Sequence, residues 1–339
     1  MAHTMSGVVP DEICTLSVWS EDAVRLSDVL AALEAMRKPE PMPPTRTSVL
    51  TLVVVATKAS SADRAEQALH ELGGRHPARV LTLLVDRDTA AAHAPGGLDA
   101  HLTLLGSEAE GHPVWFEDVR LTVRGRVIDH LDSLVEPFTI PDLPVVVWFV
   151  DGLPTPDEAL LEAADVVLVD ARDFGDTDCF ATLAELRARP LVDLSWHRLR
   201  PWRELLASLF ERPDTRPFLR GVRSVRVAGR TGPRHLLAGW IADRLQVPTP
   251  EVHLEPAEHV SIEVICEIDG RHGRFEVVRT SDERVVRARA SVTDGATSEA
   301  LVPLPDLSPA WGLASALSSL DRDEVYEGAL AKALVLASR

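Results

Sequence analysis

The chain contains 339 residues, of which 45% are hydrophobic and 26% are charged; this is typical of globular proteins, and the length predicts two domains. The formal net charge of −17 argues against nucleic-acid binding, because contact with phosphates requires a basic face. We recognise neither a signal peptide nor an apolar run of about 18 residues, and therefore expect a cytoplasmic protein without a membrane partner. The scattered cysteines, odd in number and without a CxxC pair, argue against a disulfide framework or a zinc knuckle; they are Cys14, Cys179 and Cys266.

The first elements in chain order predict an α/β arrangement. Residues 21–37 have the apolar spacing of an amphipathic helix, and PEPMPP at 39–44 predicts a linker. Ser48–Ala56 is a continuous β-branched run, typical of a strand buried on both faces. A helical pattern at 61–72 and a second buried strand at Arg79–Val85 complete a βαβ unit, which requires parallel strands.

The same alternation continues to about residue 212. We therefore expect an N-terminal helix and linker over 1–44, followed by a doubly wound, mainly parallel, Rossmann-like domain over 45–212. Its further predicted elements are strands at 98–105, 116–124, 143–150, 166–170 and 191–195, and helices at 156–164 and 178–188.

The segment ERPD at 211–214 predicts a domain boundary. Runs of strands flanked by helices follow it, which indicates a smaller α+β domain over 213–339. The predicted elements are a strand at 222–228, a helix at 233–245, strands at 260–268, 274–280 and 284–292, and helices at 308–319 and 322–336.

Motifs of catalysis and of nucleotide binding are absent from the sequence. No GxGxxG, GxxxxGK[ST], GxSxG or HExxH pattern occurs. The predicted α/β domain thus lacks the glycine loop with which such a fold cradles phosphate, and a fold without a site does not define a function. We expect no catalytic residue, no cofactor and no metal.

Two acidic stretches are candidate metal sites. The first follows a predicted strand, and carboxylates at the carboxyl end of a strand can bind Mg²⁺; a solvated loop is the favoured interpretation, because Asp is common in turns. Its residues are Asp165, Asp170, Asp173, Asp176 and Asp178. The second is EVHLEPAEH at 251–259, where Pro256 interrupts any helix that would align His253 with His259.

A third candidate is GRTGPRH at 229–235, a turn into a helix that carries Arg230 and Arg234. A helix N-terminus with arginines can bind an anion. The favoured alternative is an ordinary helix start, with Thr231 or Gly232 as the cap and Pro233 in the first turn.

The stretch DLSWHRLRPWRELLASLF at 193–210 is the most unusual in the chain. Pro201 fits the first turn of a helix whose apolar face includes Trp202, which predicts a core position. Arg200 and Arg203 lie at the amino end of that helix, where its dipole disfavours cations by about 0.3–1 kcal/mol. Arg200 is also predicted at the cap, a position that favours Ser, Thr, Asp or Asn. Structural and functional interpretations remain open for this stretch.

At this point the chain resembles a known family. DLSWHRLRPWRELLA is similar to the D-L-[AS]-W-T-R-x-T-P-W-R signature of the OpcA family of glucose-6-phosphate dehydrogenase assembly proteins. The resemblance is collinear over most of 45–335. It includes HPARVLTLLV at 76–85, PFTIPDLPVVVWFVDGLP at 137–154, ADVVLVDARDF at 164–174, LLAGWIADRL at 236–245 and LDRDEVYEGAL at 320–330. The chain departs from the family pattern at His197 and Arg200, where the family has threonine, and at Phe149, where it has tryptophan.

The resemblance implies a non-catalytic protein that binds glucose-6-phosphate dehydrogenase and promotes its assembly and activity. Trp and Arg are enriched at interface hot spots, so we expect the motif to bind this partner, with Trp196 as an exposed anchor outside the apolar stripe. The predicted partner-binding residues are Trp196, Arg198, Arg200, Trp202 and Arg203. The alternative is an enzyme that holds a sugar phosphate with Arg198, Arg200 and Arg203.

Overall fold

A computed structural model gives the fold of the chain. It describes residues 14–38, 45–46, 48–72, 78–87, 97–109, 112–246, 251–293, 295, 297–305 and 307–339, so the predicted linker at 39–44 lies outside the described residues. The chain divides into two compact units, residues 1–167 and 168–339. No helix in the described ranges is long and apolar enough to cross a bilayer.

The first unit is built on a mainly parallel sheet. Its strands are β1 (Cys14–Glu21), β2 (Thr45–Arg46), β3 (Leu50–Ala56), β4 (Ala78–Asp86), β5 (Gly97–Ala109), β6 (His112–Arg124), β7 (Val145–Phe149) and β8 (Val166–Val169). They follow the order β1-β5-β6-β4-β3-β7-β8, and β2 pairs with β6. β3 pairs in parallel with β4 and β7, and β4 with β6, whereas β5 runs antiparallel to β1 and β6. The parallel order matches the Rossmann arrangement, which confirms the predicted fold class.

Helices of the first unit cover this sheet. They are α1 (Leu26–Met36), α2 (Ala59–Leu72) and α3 (Leu131–Val135). All seven residues of β3 are buried, as expected for a central parallel strand. The helix predicted at 21–37 begins only at Leu26, and residues 14–21 form an edge strand that was not predicted. The helix predicted at 156–164 is reduced to a short 3-10 segment at Ala159–Ala163.

The second unit combines helices with a six-stranded, mainly antiparallel sheet; this agrees with the predicted α+β class, but only four of the six strands were predicted. Its elements are α4 (Cys179–Glu185), β9 (Leu191–Asp193), α5 (Leu194–Arg198), α6 (Arg200–Ser208), β10 (Val222–Gly229), α7 (Thr231–Leu245), β11 (Val252–Pro256), β12 (Ser261–Ile268), β13 (Arg271–Arg279), β14 (Val285–Val292), β15 (Ser298–Pro303), α8 (Pro309–Leu317) and α9 (Glu324–Ala337). The strand order is β11-β10-β12-β13-β14-β15. Only β10 and β11 pair in parallel among its described strands.

Helices α7 and α9 form the closest helix pair of this unit. Gly239 of α7 faces the backbone of α9 so closely that a methyl group there would overlap the carbonyl oxygen of Ala329 and lie 2.8 Å from the nitrogen of Ala333. This close packing fixes the position of α9 against α7. The observed division at 167/168 lies earlier than the boundary predicted near 212, and separate folding of 45–212 and 213–339 stays a prediction.

Candidate functional site: the signature motif and an adjoining cavity

The signature motif at 193–203 forms two consecutive short helices. Asp193, the last residue of β9, caps α5 by accepting a hydrogen bond of 2.8 Å from the backbone N–H of Ser195. Leu199 is the cap residue before α6, and Pro201 lies in its first turn. The expectation that Arg200 is the cap is therefore wrong by one position, because α5 runs almost directly into α6.

Trp196 is buried, with only 2% of its surface exposed, so the expected exposed anchor is wrong. Its indole Nε1 donates a hydrogen bond of 2.7 Å to Asp323 Oδ2, and its ring lies 5.6 Å from the Tyr326 ring. The Arg203 guanidinium lies 3.5 Å above the Trp196 ring centre. Trp196 falls outside the apolar stripe of α6 because it belongs to α5, which has its own buried face.

Asp323 ties the start of α9 to the motif. Its Oδ1 caps α9 by accepting hydrogen bonds from the backbone N–H groups of Val325, at 2.9 Å, and Tyr326, at 3.0 Å. Its Oδ2 accepts the hydrogen bond from Trp196 Nε1. One carboxylate therefore fixes both the helix start and the tryptophan, so the motif forms part of the internal framework of the second unit.

A second buried carboxylate, Asp193, joins this network. Tyr326 donates its hydroxyl to Asp193 Oδ2 at 3.3 Å, and the N–H of Ala171 lies 3.1 Å from Oδ1. Burial, together with the nearby charge of Asp170, raises the pKa of Asp193 to about 7, against the opposing effect of its backbone hydrogen bonds. Burial also raises the pKa of Tyr326 well above its usual range, so the phenol remains a donor.

Ser195 is held as a structural hydroxyl. It donates to Asp170 Oδ1 at 2.5 Å and accepts from the backbone N–H of Arg172 at 2.8 Å, while Arg198 forms an ion pair with Asp170 Oδ2. The neighbouring His197 contacts Ser315 Oγ at 3.0 Å instead of Ser195. Burial and the charge of Arg203 lower the pKa of His197 to about 4. The described contacts of Ser195 therefore lack the base that activates a serine nucleophile.

The remaining motif residues differ in exposure. Trp202 is 3% exposed, so its predicted core position is confirmed. Burial lowers the pKa of Arg203 to about 10, and its guanidinium donates to the Trp196 carbonyl at 3.3 Å. The Arg200 side chain is 65% exposed and pairs with Glu204 at 2.7 Å. Because Arg198, Arg200 and Arg203 have three separate partners, they do not form the common phosphate clamp that the alternative function requires.

The two acidic stretches do not form a metal site among the described residues, where no suitable group of three His, Cys, Asp or Glu side chains occurs. Asp165 instead accepts a hydrogen bond of 2.8 Å from the N–H of Val145, and Asp170 is engaged by Ser195 and Arg198. The stretch at 251–259 contains the strand β11. GRTGPRH opens α7 as predicted, with Arg230 in the cap position instead of Thr231 or Gly232.

A cavity of about 330 Å³ in the second unit brings several of these stretches together. We call it the arginine cavity. It combines the signature motif, the start of α7, the end of the 251–259 stretch and the end of β13. Its lining residues are Arg172, Ser195, Arg198, Leu199, Trp202, Arg230, Pro233, Glu258, His259, Val260, Arg279, Glu283 and Leu307.

The turn between β3 and α2, where a Rossmann enzyme holds phosphate, is hydrogen-bonded to Asp151, which follows β7. Asp151 accepts hydrogen bonds from the backbone N–H of Thr57 at 2.8 Å and of Lys58 at 3.0 Å, and from the Thr57 hydroxyl at 3.1 Å. Both N–H groups lie in the loop directly before α2, which begins at Ala59. Asp151 therefore pairs these loop donors with a carboxylate of the chain itself.

Comparison with known families agrees with this structure and with the motif. Residues 69–188 match the OpcA domain described as glucose-6-phosphate dehydrogenase subunit N-terminal domain. Residues 189–330 match the corresponding C-terminal domain. The chain belongs to the OpcA family. The sequence resemblance is thereby confirmed. The roles of Asp323, Tyr326 and Arg279 within this OpcA chain were not foreseen, although Asp323 and Tyr326 lie in the stretch LDRDEVYEGAL that forms part of the resemblance.

Three OpcA proteins, provisionally named as OxPP cycle proteins, are similar to this chain. The relative from Synechocystis sp. is 26% identical over 52% of this chain and 38% of its own length. The relative from Synechococcus elongatus is 27% identical over 55% of this chain and 37% of its own length. The relative from Nostoc punctiforme is 23% identical over 66% of this chain and 53% of its own length. The chain thus matches about half or less of each relative.

Among solved structures, the chain is similar to the transcriptional regulator Gal80p of Kluyveromyces lactis. The TM-score is 0.40 with 8% identity, over 86% of this chain and 90% of that protein. A similarity at this level carries no functional argument.

Proposed function

We propose that this OpcA chain is a non-catalytic assembly factor and allosteric activator of glucose-6-phosphate dehydrogenase in the oxidative pentose phosphate pathway, acting in the cytoplasm by protein–protein binding. The observation that carries the proposal is the match of two consecutive domains, named for a subunit of that dehydrogenase, over residues 69–330. The proposal requires neither a cofactor nor a metal.

Two features of the chain support a role without catalysis. Asp151 accepts hydrogen bonds from the backbone of the turn between β3 and α2, the turn in which a Rossmann enzyme binds phosphate. The Ser195 hydroxyl bonds to the Asp170 carboxylate and to the Arg172 backbone instead of to an imidazole. Both arrangements support a protein that has the fold of an enzyme domain but acts by binding another protein through its surface.

We assign different tasks to the motif residues in partner binding. Arg200 contacts the dehydrogenase, because its side chain is 65% exposed at the start of α6. The buried residues hold this helix start in position, through the Trp196–Asp323 hydrogen bond and the Arg198–Asp170 ion pair. Trp202 and Arg203 belong to α6 itself: Trp202 lies on its buried face, and Arg203 covers the ring of Trp196 in α5.

Activation follows from linkage. A protein that binds one conformation or assembly of an enzyme better than another shifts the population towards it, by its difference in affinity for the two. A coupling of about 1–3 kcal/mol changes the apparent substrate affinity by roughly 5- to 150-fold. We therefore expect the chain to raise dehydrogenase activity most strongly at low substrate.

The experiment measures activity of the cognate dehydrogenase at low glucose 6-phosphate, with the chain absent or titrated in. We expect activation by the parent and loss of at least about tenfold in half-maximal concentration for Arg200→Glu, since reversing a charge at an interface costs several kcal/mol. Arg223→Glu is the matched control, because its side chain is 64% exposed and also faces a glutamate, Glu267.

Three outcomes would contradict the proposal. Turnover of a sugar phosphate by the chain alone would show that the chain is an enzyme. Failure of the parent chain to bind or activate the dehydrogenase would show that the dehydrogenase is not its partner. Equal activation by Arg200→Glu and by the parent would show that the start of α6 is not part of the interface. Melting curves of both variants separate a lost contact from a lost fold.

A further inference from the structure

The arginine cavity collects positive charge from four separate segments of a strongly acidic chain. Four guanidinium groups line it, from Arg172, Arg198, Arg230 and Arg279, against the two carboxylates of Glu258 and Glu283. The formal net charge of the whole chain is −17. Segments far apart in sequence thus converge to make a local basic site, which is the arrangement that binds anionic ligands.

Three of these arginines have no counterion within the part of the chain that the structure describes. Arg198 pairs with Asp170, but Arg172, Arg230 and Arg279 form no ion pair with a described residue. Glu283 lies 3.6 Å from His259 Nε2. The carboxylates of the wall therefore leave three cations without partners, and such a cluster favours a ligand with more than one negative charge.

The start of α7 adds to this positive field. The helix is 15 residues long, its cap residue Arg230 makes no side-chain capping bond, and its first turn contains no acidic residue. A helix start favours anions, because its N–H groups and its dipole both present positive charge. Arginines at this position oppose the usual preference, and a local conflict of this kind is typical of a functional site.

Two buried donors in the cavity wall also lack acceptors. Trp202 is 3% exposed, and its indole Nε1 has no hydrogen-bond partner among the described residues; the same holds for Nε of Arg279, whose guanidinium lies 5.5 Å from the Trp202 ring. Buried donors are almost always paired in native proteins, so each unpaired one needs an explanation. A phosphate group, rich in acceptor oxygens, provides one.

The acidic part of the wall complements the basic part. Glu258, Glu283 and the imidazole of His259 line the same cavity. Carboxylates accept hydrogen bonds from hydroxyl groups, which inorganic phosphate at neutral pH offers poorly and a sugar offers in number. The volume of about 330 Å³ falls within the range of small-molecule sites, roughly 300–1,000 Å³.

We propose that the arginine cavity binds a phosphate monoester of a small polyhydroxylated molecule, a sugar phosphate in chemical class. Arg172, Arg230 and Arg279 hold the phosphate at the start of α7, with the Trp202 indole as a further donor. Glu258 and Glu283 accept hydrogen bonds from the hydroxyl groups. The site differs from a clamp by Arg198, Arg200 and Arg203, and it is independent of the proposed function because it needs no dehydrogenase.

The test is calorimetric titration of the full chain with glucose 6-phosphate, glucose and inorganic phosphate at fixed pH and ionic strength. We expect glucose 6-phosphate to bind with a Kd below about 1 mM, inorganic phosphate to bind more weakly, and glucose not to bind. Arg172→Gln and Arg230→Gln, both at exposed positions, should each weaken binding about tenfold, as expected for the loss of a hydrogen bond to a charged group.

Arg223→Gln is the control, because it makes the same change on β10 outside the cavity and should leave the Kd unchanged. Trp202→Phe removes the indole N–H while keeping an aromatic ring, and should weaken binding without unfolding the chain. Absence of glucose 6-phosphate binding overturns the proposal. Equal effects of Arg223→Gln and Arg230→Gln overturn the location, and inorganic phosphate binding as tightly as the ester overturns the sugar-phosphate class.

Discussion

Trp196 and Trp202 are six residues apart and buried in different surroundings. Trp202 packs within the apolar face of α6, at a spacing that the sequence already shows. Trp196 is bound by a hydrogen bond to Asp323, 127 residues further along the chain, and by the ring of Tyr326. No local pattern contains that second kind of information. The burial of Trp202 thus follows from its helix face, whereas the burial of Trp196 depends on a tertiary hydrogen bond.

Replacement of Trp196 should destabilise the chain. We expect Trp196→Ala to lower the free energy of unfolding by about 3–5 kcal/mol, because it empties a core site, and Trp196→Phe to lower it by about 1.5–3 kcal/mol through loss of the bond to a charged group. Urea denaturation measures both. Arg200→Ala, at an exposed position of the same motif, is the control and should change stability by less than about 0.5 kcal/mol. A Trp196→Ala chain as stable as the parent would contradict the burial.

Asp193 makes stability depend on pH. Its pKa is raised to about 7 in the folded chain, from an ordinary value of 3.8, chiefly by burial. The folded state therefore binds more protons than the unfolded state between these values, so this residue's contribution is complete below pH 3.8 and is lost as the pH rises through 7. The Tm of the parent minus that of Asp193→Asn should fall over this interval.

Calorimetric scans of the parent and Asp193→Asn between these two pH values measure the effect. Asp321→Asn makes the same chemical change at an exposed site and serves as the control. A difference in Tm that stays constant, or that grows in favour of the parent as the pH rises, would show that Asp193 is ionised without penalty in its buried position.

At the scale of elements, the contact between α7 and α9 depends on a glycine. Ala has the higher helix propensity by about 1 kcal/mol, yet Gly239→Ala should destabilise by about 1–3 kcal/mol, because its methyl group would overlap the backbone of Ala329. Chemical denaturation measures the change. Gly328→Ala in α9 is the matched control, since the nearest atom, at 2.8 Å, is the carboxylate end of Asp243, which can move. A stabilised Gly239→Ala chain would mean a looser helix pair.

Elements with a strong local pattern were predictable from the sequence. β3, β4 and β7 are continuous β-branched or apolar runs, and their complete or nearly complete burial explains that pattern. β1, β11 and β15 were missed because they are edge strands with mostly exposed residues, so burial imposes little alternation on them. The apolar periodicity of a segment thus reflects its burial, and a strand that is mostly exposed has no clear apolar pattern in the sequence.

At the scale of the whole molecule, net charge and the location of charge are separate properties. The value of −17 describes the total and argues against nucleic-acid binding, but it does not say where the positive charges lie. The arginine cavity draws its cations from Arg172, Arg198, Arg230 and Arg279, which lie in segments that only the fold brings together. The sequence could identify three of these stretches as unusual, but their convergence on one cavity depends on tertiary structure.

The bond between Trp196 and Asp323 also sets an order of events during synthesis. A chain made from its N-terminus exposes the signature motif to the cell for the time needed to add 127 residues, roughly 6 to 25 s at 5–20 residues per second. Until α9 leaves the ribosome, the Trp196 indole and the Asp193 carboxylate lack their partners in α9 and its cap, and both remain accessible to water and to chaperones. The mature form of the α6 surface therefore arises only after Asp323 and Tyr326 have emerged, and an interrupted chain would not present it.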